Sequence, residues 1–160
     1  METILVAAEA SWIRDQVQVA FVQPGQRVVE VQRGQDVRNA ISEYEPSVVI
    51  LDMQIGNMGG VAVALDIRLE QGAGRMPETQ ILLLLDRDAD KFLATRSDVD
   101  GVLVKPVDAG RLRRAVRNLR NTATLSVAES AAASLAGLDP APEANDEETE
   151  PEPVDLAPET

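Results

Sequence analysis

The 160-residue chain has no cysteine and no histidine, and its aromatic residues are two phenylalanines, one tyrosine and one tryptophan. Without cysteine there is no disulfide framework, zinc–thiolate site or thiol nucleophile. Without histidine there is no histidine triad, imidazole metal site or histidine-based proton relay. With so few rings, a core drawn from the 44% of hydrophobic residues has to be built from Val, Leu, Ile and Ala, which suits parallel strands buried under helices better than an aromatic-rich sandwich. No apolar run approaches the roughly 18 residues of a membrane span. At the N-terminus Glu2 stands where a secretory leader carries positive charge, and Glu9 breaks the apolar stretch, so a soluble cytoplasmic protein is expected. The length fits one core of ordinary size.

Charge is unevenly spread. The net charge is −12, from 27 acids and 15 bases. Nine acids and no bases fall in residues 139–160, which leaves 18 acids against 15 bases, a net −3, for residues 1–138. The tail also holds five prolines and few large apolar groups, so burial cannot offset the entropy of ordering it, and residues 138–160 are expected to be disordered. Such a tail competes with phosphates for any basic patch, so direct nucleic-acid binding is not expected.

Along the rest of the chain, short apolar runs alternate with helical periodicity. Residues 3–8 read as a strand, and residues 11–22 set Trp12, Ile13, Gln16, Val17, Ala20 and Phe21 in a helical stripe. Residues 27–31, 47–52, 80–85 and 101–104 read as four more strands, and helices are expected over 35–44, 61–70, 89–97 and 108–120. Residues 71–77 read as a surface loop, and the Ala-rich stretch 124–137 is open to continuing the last helix. Five βα repeats predict a doubly wound five-stranded parallel sheet in the order 2-1-3-4-5, with helices on both faces. Ligands of such sheets bind beyond the carboxyl ends of the strands. Glu9, Asp52, Asp86 and Lys105 all fall there.

Carboxylates gathered at strand ends repel one another unless a cation or a lysine neutralises them. A hard divalent ion such as Mg²⁺ takes one or two carboxylates with carbonyl, water and phosphate oxygens, and Glu9 and Asp52 can supply that pair. Lys105 offers a point charge to Asp52 or to a phosphoryl oxygen on it. Phosphoryl transfer to a carboxylate needs mainly positioning and charge stabilisation, so these groups would suffice. Asp86 admits three roles: an extra metal ligand, a repulsive group that disfavours phosphate, or a cap for the following helix.

The stretch EPSVVILDMQIGNMGG and the turn Val104-Lys105-Pro106 together resemble the receiver domain of two-component response regulators, over residues 1 to about 120. The resemblance implies a flavodoxin-like receiver fold, a signalling module rather than an enzyme, and Asp52 as the phosphoacceptor with Lys105 as its catalytic lysine. It implies Mg²⁺ on Glu9, Asp52 and the backbone carbonyl of Gln54, with Gly60 as the closing glycine of the loop. A histidine kinase or phosphotransfer protein would donate the phosphoryl group, and an output protein would be contacted through the surface. Four departures stand out. Receivers usually carry two adjacent acids where this chain has Ala8-Glu9, and a proline where it has Gly56. The switch hydroxyl falls at Leu85 followed by Asp86, and the aromatic switch position is Val102.

Two readings follow: a stand-alone phosphoaccepting receiver, or a degenerate receiver acting as a phosphorylation-independent interaction module. A small metal-dependent phosphotransferase or phosphatase is a third, disfavoured because no nucleotide-binding loop is visible. Arg111, Arg113, Arg114, Arg117 and Arg120 on the last helix suit carboxylates at an interface, a homodimer among them. The expected organisation is a receiver-like domain over 1–121, a helical extension over 122–137 and the acidic tail, with no DNA-binding output domain.

Overall fold

The computed structural model describes residues 1–136, and the tail expected to be disordered lies outside them. Met1–Ser126 form one compact unit, and the described residues from Val127 onward fall outside it.

In the first unit β1 (Glu2–Ala7), β2 (Gln26–Val31), β3 (Val48–Asp52), β4 (Gln80–Leu85) and β5 (Gly101–Val104) form one sheet in the order β2-β1-β3-β4-β5. Every pairing is parallel. The connections carry α1 (Ser11–Phe21), α2 (Val37–Tyr44), α3 (Gly60–Gly72) and α4 (Lys91–Arg96), and α5 (Ala109–Leu135) follows β5.

Period-two geometry sorts each central strand between two cores. Ile4, Val6, Val48, Ile50, Leu82 and Leu84 pack with Ile13 and Val17 of α1 and Leu112 and Val116 of α5. The intervening Leu5, Ala7, Val49, Leu51, Leu83 and Leu85 pack with Ile41 of α2 and Val63 and Ile67 of α3. Every residue of β3 is buried, which is why its sequence is an unbroken apolar run closed by one carboxylate. The edge strand β2 is only partly buried and accordingly mixes Arg27 and Glu30 among its valines.

Two local expectations are corrected. Residues 71–77 were to be a loop, but Gln71 and Gly72 stay in α3. Gln71 is buried, accepts from Arg68 at 2.8 Å and donates to the Pro77 carbonyl at 2.9 Å, which holds the last turn against the chain that follows. The helices expected from residues 35 and 89 instead open with 3₁₀ turns, Gly34–Asp36 and Asp88–Asp90. In the second, the Asp90 carboxylate accepts the Arg87 backbone N–H at 3.0 Å and tightens the entry. No helix among the described residues is long and apolar enough to cross a membrane.

Candidate functional site

Asp52 is the last residue of β3, flanked by β1 and β4, and is 2% exposed. Its loop closes tightly. The Gly60 N–H donates to the Met53 carbonyl at 3.1 Å, and a Cβ on Gly60 would stand 2.5 Å from the Asp52 carbonyl oxygen. No side chain fits there, so the loop can return to the strand end only through glycine. The loop is also tied to the turn after β2, where Gly34 N–H donates to the Gly56 carbonyl at 3.2 Å.

Lys105 extends β5 by one residue, its N–H donating to Leu85 at 2.8 Å. Because β4 lies between β3 and β5, the lysine reaches across the end of β4. Its ammonium donates to Asp52 Oδ1 at 2.6 Å and to Asp86 Oδ1 at 2.7 Å. Gln54 completes a ring: its backbone N–H donates to Asp52 Oδ1 at 3.2 Å and its Nε2 to Asp86 Oδ2 at 2.7 Å. Among the described residues, no hydrogen bond is made by Asp52 Oδ2. Burial pulls the Lys105 ammonium toward neutrality, but the hydrogen bonds it donates to Asp52 and Asp86 outweigh this and its pKa stays above the ordinary value. The Lys105 ammonium in turn holds the Asp86 carboxyl below the usual carboxylate range. Both are ionised at neutral pH.

Sequence reasoning placed the switch-hydroxyl position at Leu85 followed by Asp86. The structure separates the two. Leu85 is fully buried in the core under α2 and α3, and it is Asp86 that turns into the site. Asp86 is therefore a partner of Lys105 and Gln54, not a helix cap. Val102, at the expected aromatic position, packs half-buried against the same core.

A cleft of about 300 Å³ opens above Asp52, lined by Glu9, Trp12, Ile13, Asp52, Gln54 and Lys105. The four residues expected at the site, Glu9, Asp52, Gln54 and Lys105, thus meet in one place. Arg14 was not anticipated. It donates to the Ala8 carbonyl at 2.8 Å and the Glu9 carbonyl at 2.7 Å while pairing with Glu30 at 3.2 Å, which fixes the turn that presents Glu9. Only its helical position was visible in the sequence.

Among the described residues no group of three or more Asp, Glu, His or Cys side chains is gathered to hold a metal. The cleft offers two carboxylates, Glu9 and Asp52, and Ala8 beside them is buried and apolar. That number still suits magnesium, which is commonly held by one or two carboxylates with water and phosphate oxygens completing its shell.

Glu9 and Gly56 are physically one feature. A Cβ on Gly56 would lie 2.7 Å from Glu9 Oε2 and 3.5 Å from its Cδ, so the longer acid lies across bare backbone. If Glu9 is a magnesium ligand, Gly56→Ala is expected to push its carboxylate aside and weaken Mg²⁺ binding about tenfold, the lower end of the range for losing a ligand's support. Trp12 lines the cleft, so its fluorescence in a Mg²⁺ titration reads the affinity. Unchanged affinity would count against Glu9 as a ligand.

Comparison with known proteins agrees with this architecture. The family model for the response regulator receiver domain matches residues 4–117. Aerobic respiration control protein ArcA of Escherichia coli K12 is 26% identical over 116 residues, covering 72% of this chain and 47% of ArcA. Transcriptional regulatory protein GltR of Pseudomonas aeruginosa is 28% identical over 117 residues, 73% of this chain and 48% of GltR. The chain thus matches about half the length of these relatives. The signal receiver domain of NarL from Mycobacterium tuberculosis superposes with a TM-score of 0.62 at 26% identity, covering 73% of this chain and 94% of that one. Chemotaxis response regulator CheY4 of Vibrio cholerae shares the fold, with a TM-score of 0.66 at 20% identity over 74% of this chain and 98% of its own. Residues 4–117 make this chain a member of the response regulator receiver domain family of two-component systems.

Proposed function

We propose that the chain accepts a phosphoryl group on Asp52 from a histidine kinase or phosphotransfer protein in the cytoplasm and signals through protein contacts. The observation that carries this reading is the buried Asp52 carboxylate with the Lys105 ammonium 2.6 Å away, at the floor of an open cleft. An Asp52 oxygen attacks phosphorus, the bond from phosphorus to the donor breaks, and the leaving group keeps the electron pair. Lys105 is placed to offset charge on the phosphoryl oxygens. Glu9, Asp52 and the Gln54 backbone carbonyl are the groups that would hold magnesium, which when bound supplies positive charge to those oxygens. Residues 1–121 would carry this activity, with 122–137 and 138–160 as appendages to it.

A small acyl phosphate tests the reading. With Mg²⁺ the intact protein is expected to gain the mass of one phosphoryl group, and with a chelator to lose that gain. No gain under either condition would instead support a phosphorylation-independent interaction module. Asp86 in place of a hydroxyl and Val102 in place of an aromatic ring favour that second reading.

A further inference from the structure

Two aspartates share one lysine in this site. Lys105 has three N–H donors and directs two of them at Asp52 Oδ1, 2.6 Å away, and Asp86 Oδ1, 2.7 Å away. Asp86 is not swinging loosely beside this pair, because its second oxygen accepts Gln54 Nε2 at 2.7 Å and the Gln54 backbone N–H returns to Asp52. The result is a closed ring of Asp52, Lys105, Asp86 and Gln54.

We propose that Asp86 is a positioning residue that occupies Lys105 in the unmodified site and has to yield it when Asp52 carries a phosphoryl group. Asp86 thereby sets how much divalent metal the phosphorylated state requires. This rests on the reading of Asp52 as the acceptor and assigns a part in that chemistry to a residue outside the acceptor–lysine pair.

The argument is one of charge and of donor inventory. A hydroxyl at position 86 could donate a hydrogen bond to a phosphoryl oxygen, whereas an ionised carboxylate can only accept. In the unmodified site the two aspartates and Lys105 sum to −1. During transfer a bond forms between an Asp52 oxygen and phosphorus, the phosphorus–oxygen bond to the donor's acyl group breaks, and the departing carboxylate keeps the electron pair with no proton moved. Asp52 becomes a neutral acyl group bearing a dianionic phosphoryl, so the same three side chains now sum to −2. With a neutral residue at 86 the sum would be −1. The Asp86 carboxylate therefore both competes for Lys105 and repels the incoming group, and the deficit has to be met by divalent cation.

The test uses the full chain, an acyl phosphate donor, Mg²⁺ varied over several decades, and intact mass as the readout. Wild type, Asp86→Asn and Asp86→Ser are compared, with Asp52→Asn as the blank. Asp86 is about one third exposed, its side chain at 30%, so two polar replacements keep the test informative if one folds poorly. Both are expected to lower the Mg²⁺ concentration for half-maximal labelling about tenfold, the scale of one like-charge contact in a partly exposed site. A merely structural role would move the melting temperature and leave that concentration unchanged. Mg²⁺ alone, followed by Trp12 fluorescence, is expected to bind Asp86→Asn no more tightly than wild type. Tighter binding would place the effect in the metal site and overturn the proposal. If wild type is labelled and both variants show its Mg²⁺ dependence, the inference falls while the acceptor reading stands. If no protein is labelled at any Mg²⁺ concentration, both fall together.

Discussion

Asp52→Asn is expected to reduce acyl phosphate labelling to background while leaving the sheet intact. The amide has the shape of the carboxylate and keeps an acceptor for the Gln54 N–H and the Lys105 ammonium, which now meet Asp52 Oδ1 at 3.2 and 2.6 Å. What it lacks is an anionic oxygen able to attack phosphorus. Lys105 also retains Asp86 at 2.7 Å, so the cation is not stranded, and exchanging a charged for a neutral hydrogen-bond acceptor should alter stability by about 1 kcal/mol or less. Circular dichroism and a urea melt check the fold, and intact mass checks the chemistry. Equal labelling of the two proteins would show that another residue accepts the group and would sink the assignment of Asp52.

The parts of the fold that could be read from the sequence are those where local pattern and tertiary burial agree. β3 and β4 are covered on both faces, so each is an apolar run with a sharp polar end, and a run of that kind is legible without any partner. The bounds of β4 and β5 were legible to the residue. Gln71 was not, because what keeps it helical is a hydrogen bond to Pro77 and another from Arg68, and neither shows in periodicity. The 3₁₀ entry to α2 is closed by the backbone bond from Asp36 N–H to the Arg33 carbonyl at 3.1 Å, and that to α4 by the Asp90 carboxylate on the Arg87 N–H, and neither contact shows in the hydrophobic pattern.

The site divides along the same line. Asp52, Lys105 and Glu9 mark strand ends, and chain order alone sends such residues to one edge of a parallel sheet. The role of Asp86 depended on which side of the sheet its side chain takes, and that is fixed by register. Asp52 pairs with Leu84, so the residue two beyond Leu84 shares the side of Asp52, whereas Leu85 points into the opposite core. The coupling of Glu9 to Gly56 was visible only as two separate oddities until their 2.7 Å approach joined them.

Lys105→Met is expected to be the most destabilising single change in the site. Methionine matches the aliphatic stem but carries no charge, so two carboxylates lose their shared cation at once. The Asp52 side chain is 3% exposed and the Asp86 side chain 30%, so their fates differ. Asp86 can turn to water, while Asp52 keeps only the Gln54 N–H at 3.2 Å among the donors described. Removing one partner from a buried ion pair generally costs 3–5 kcal/mol. Because Asp86 and the cleft admit water, a loss of about 2–4 kcal/mol is the expected result here. It should be read as a lower urea midpoint with an unchanged slope, since the surface exposed on unfolding is the same. The decisive measurement is the double variant Lys105→Met/Asp52→Asn. If the cost comes from stranding a buried charge, removing that charge should restore more than half of the lost stability, a coupling of roughly 1–3 kcal/mol between contacting residues. Lys105→Met/Asp86→Asn should restore less, because the Asp86 charge is already partly solvated. Simple addition of the two single effects in Lys105→Met/Asp52→Asn would mean that Lys105 contributes by packing its stem rather than by neutralising Asp52. The electrostatic account of the site would then be wrong at its centre.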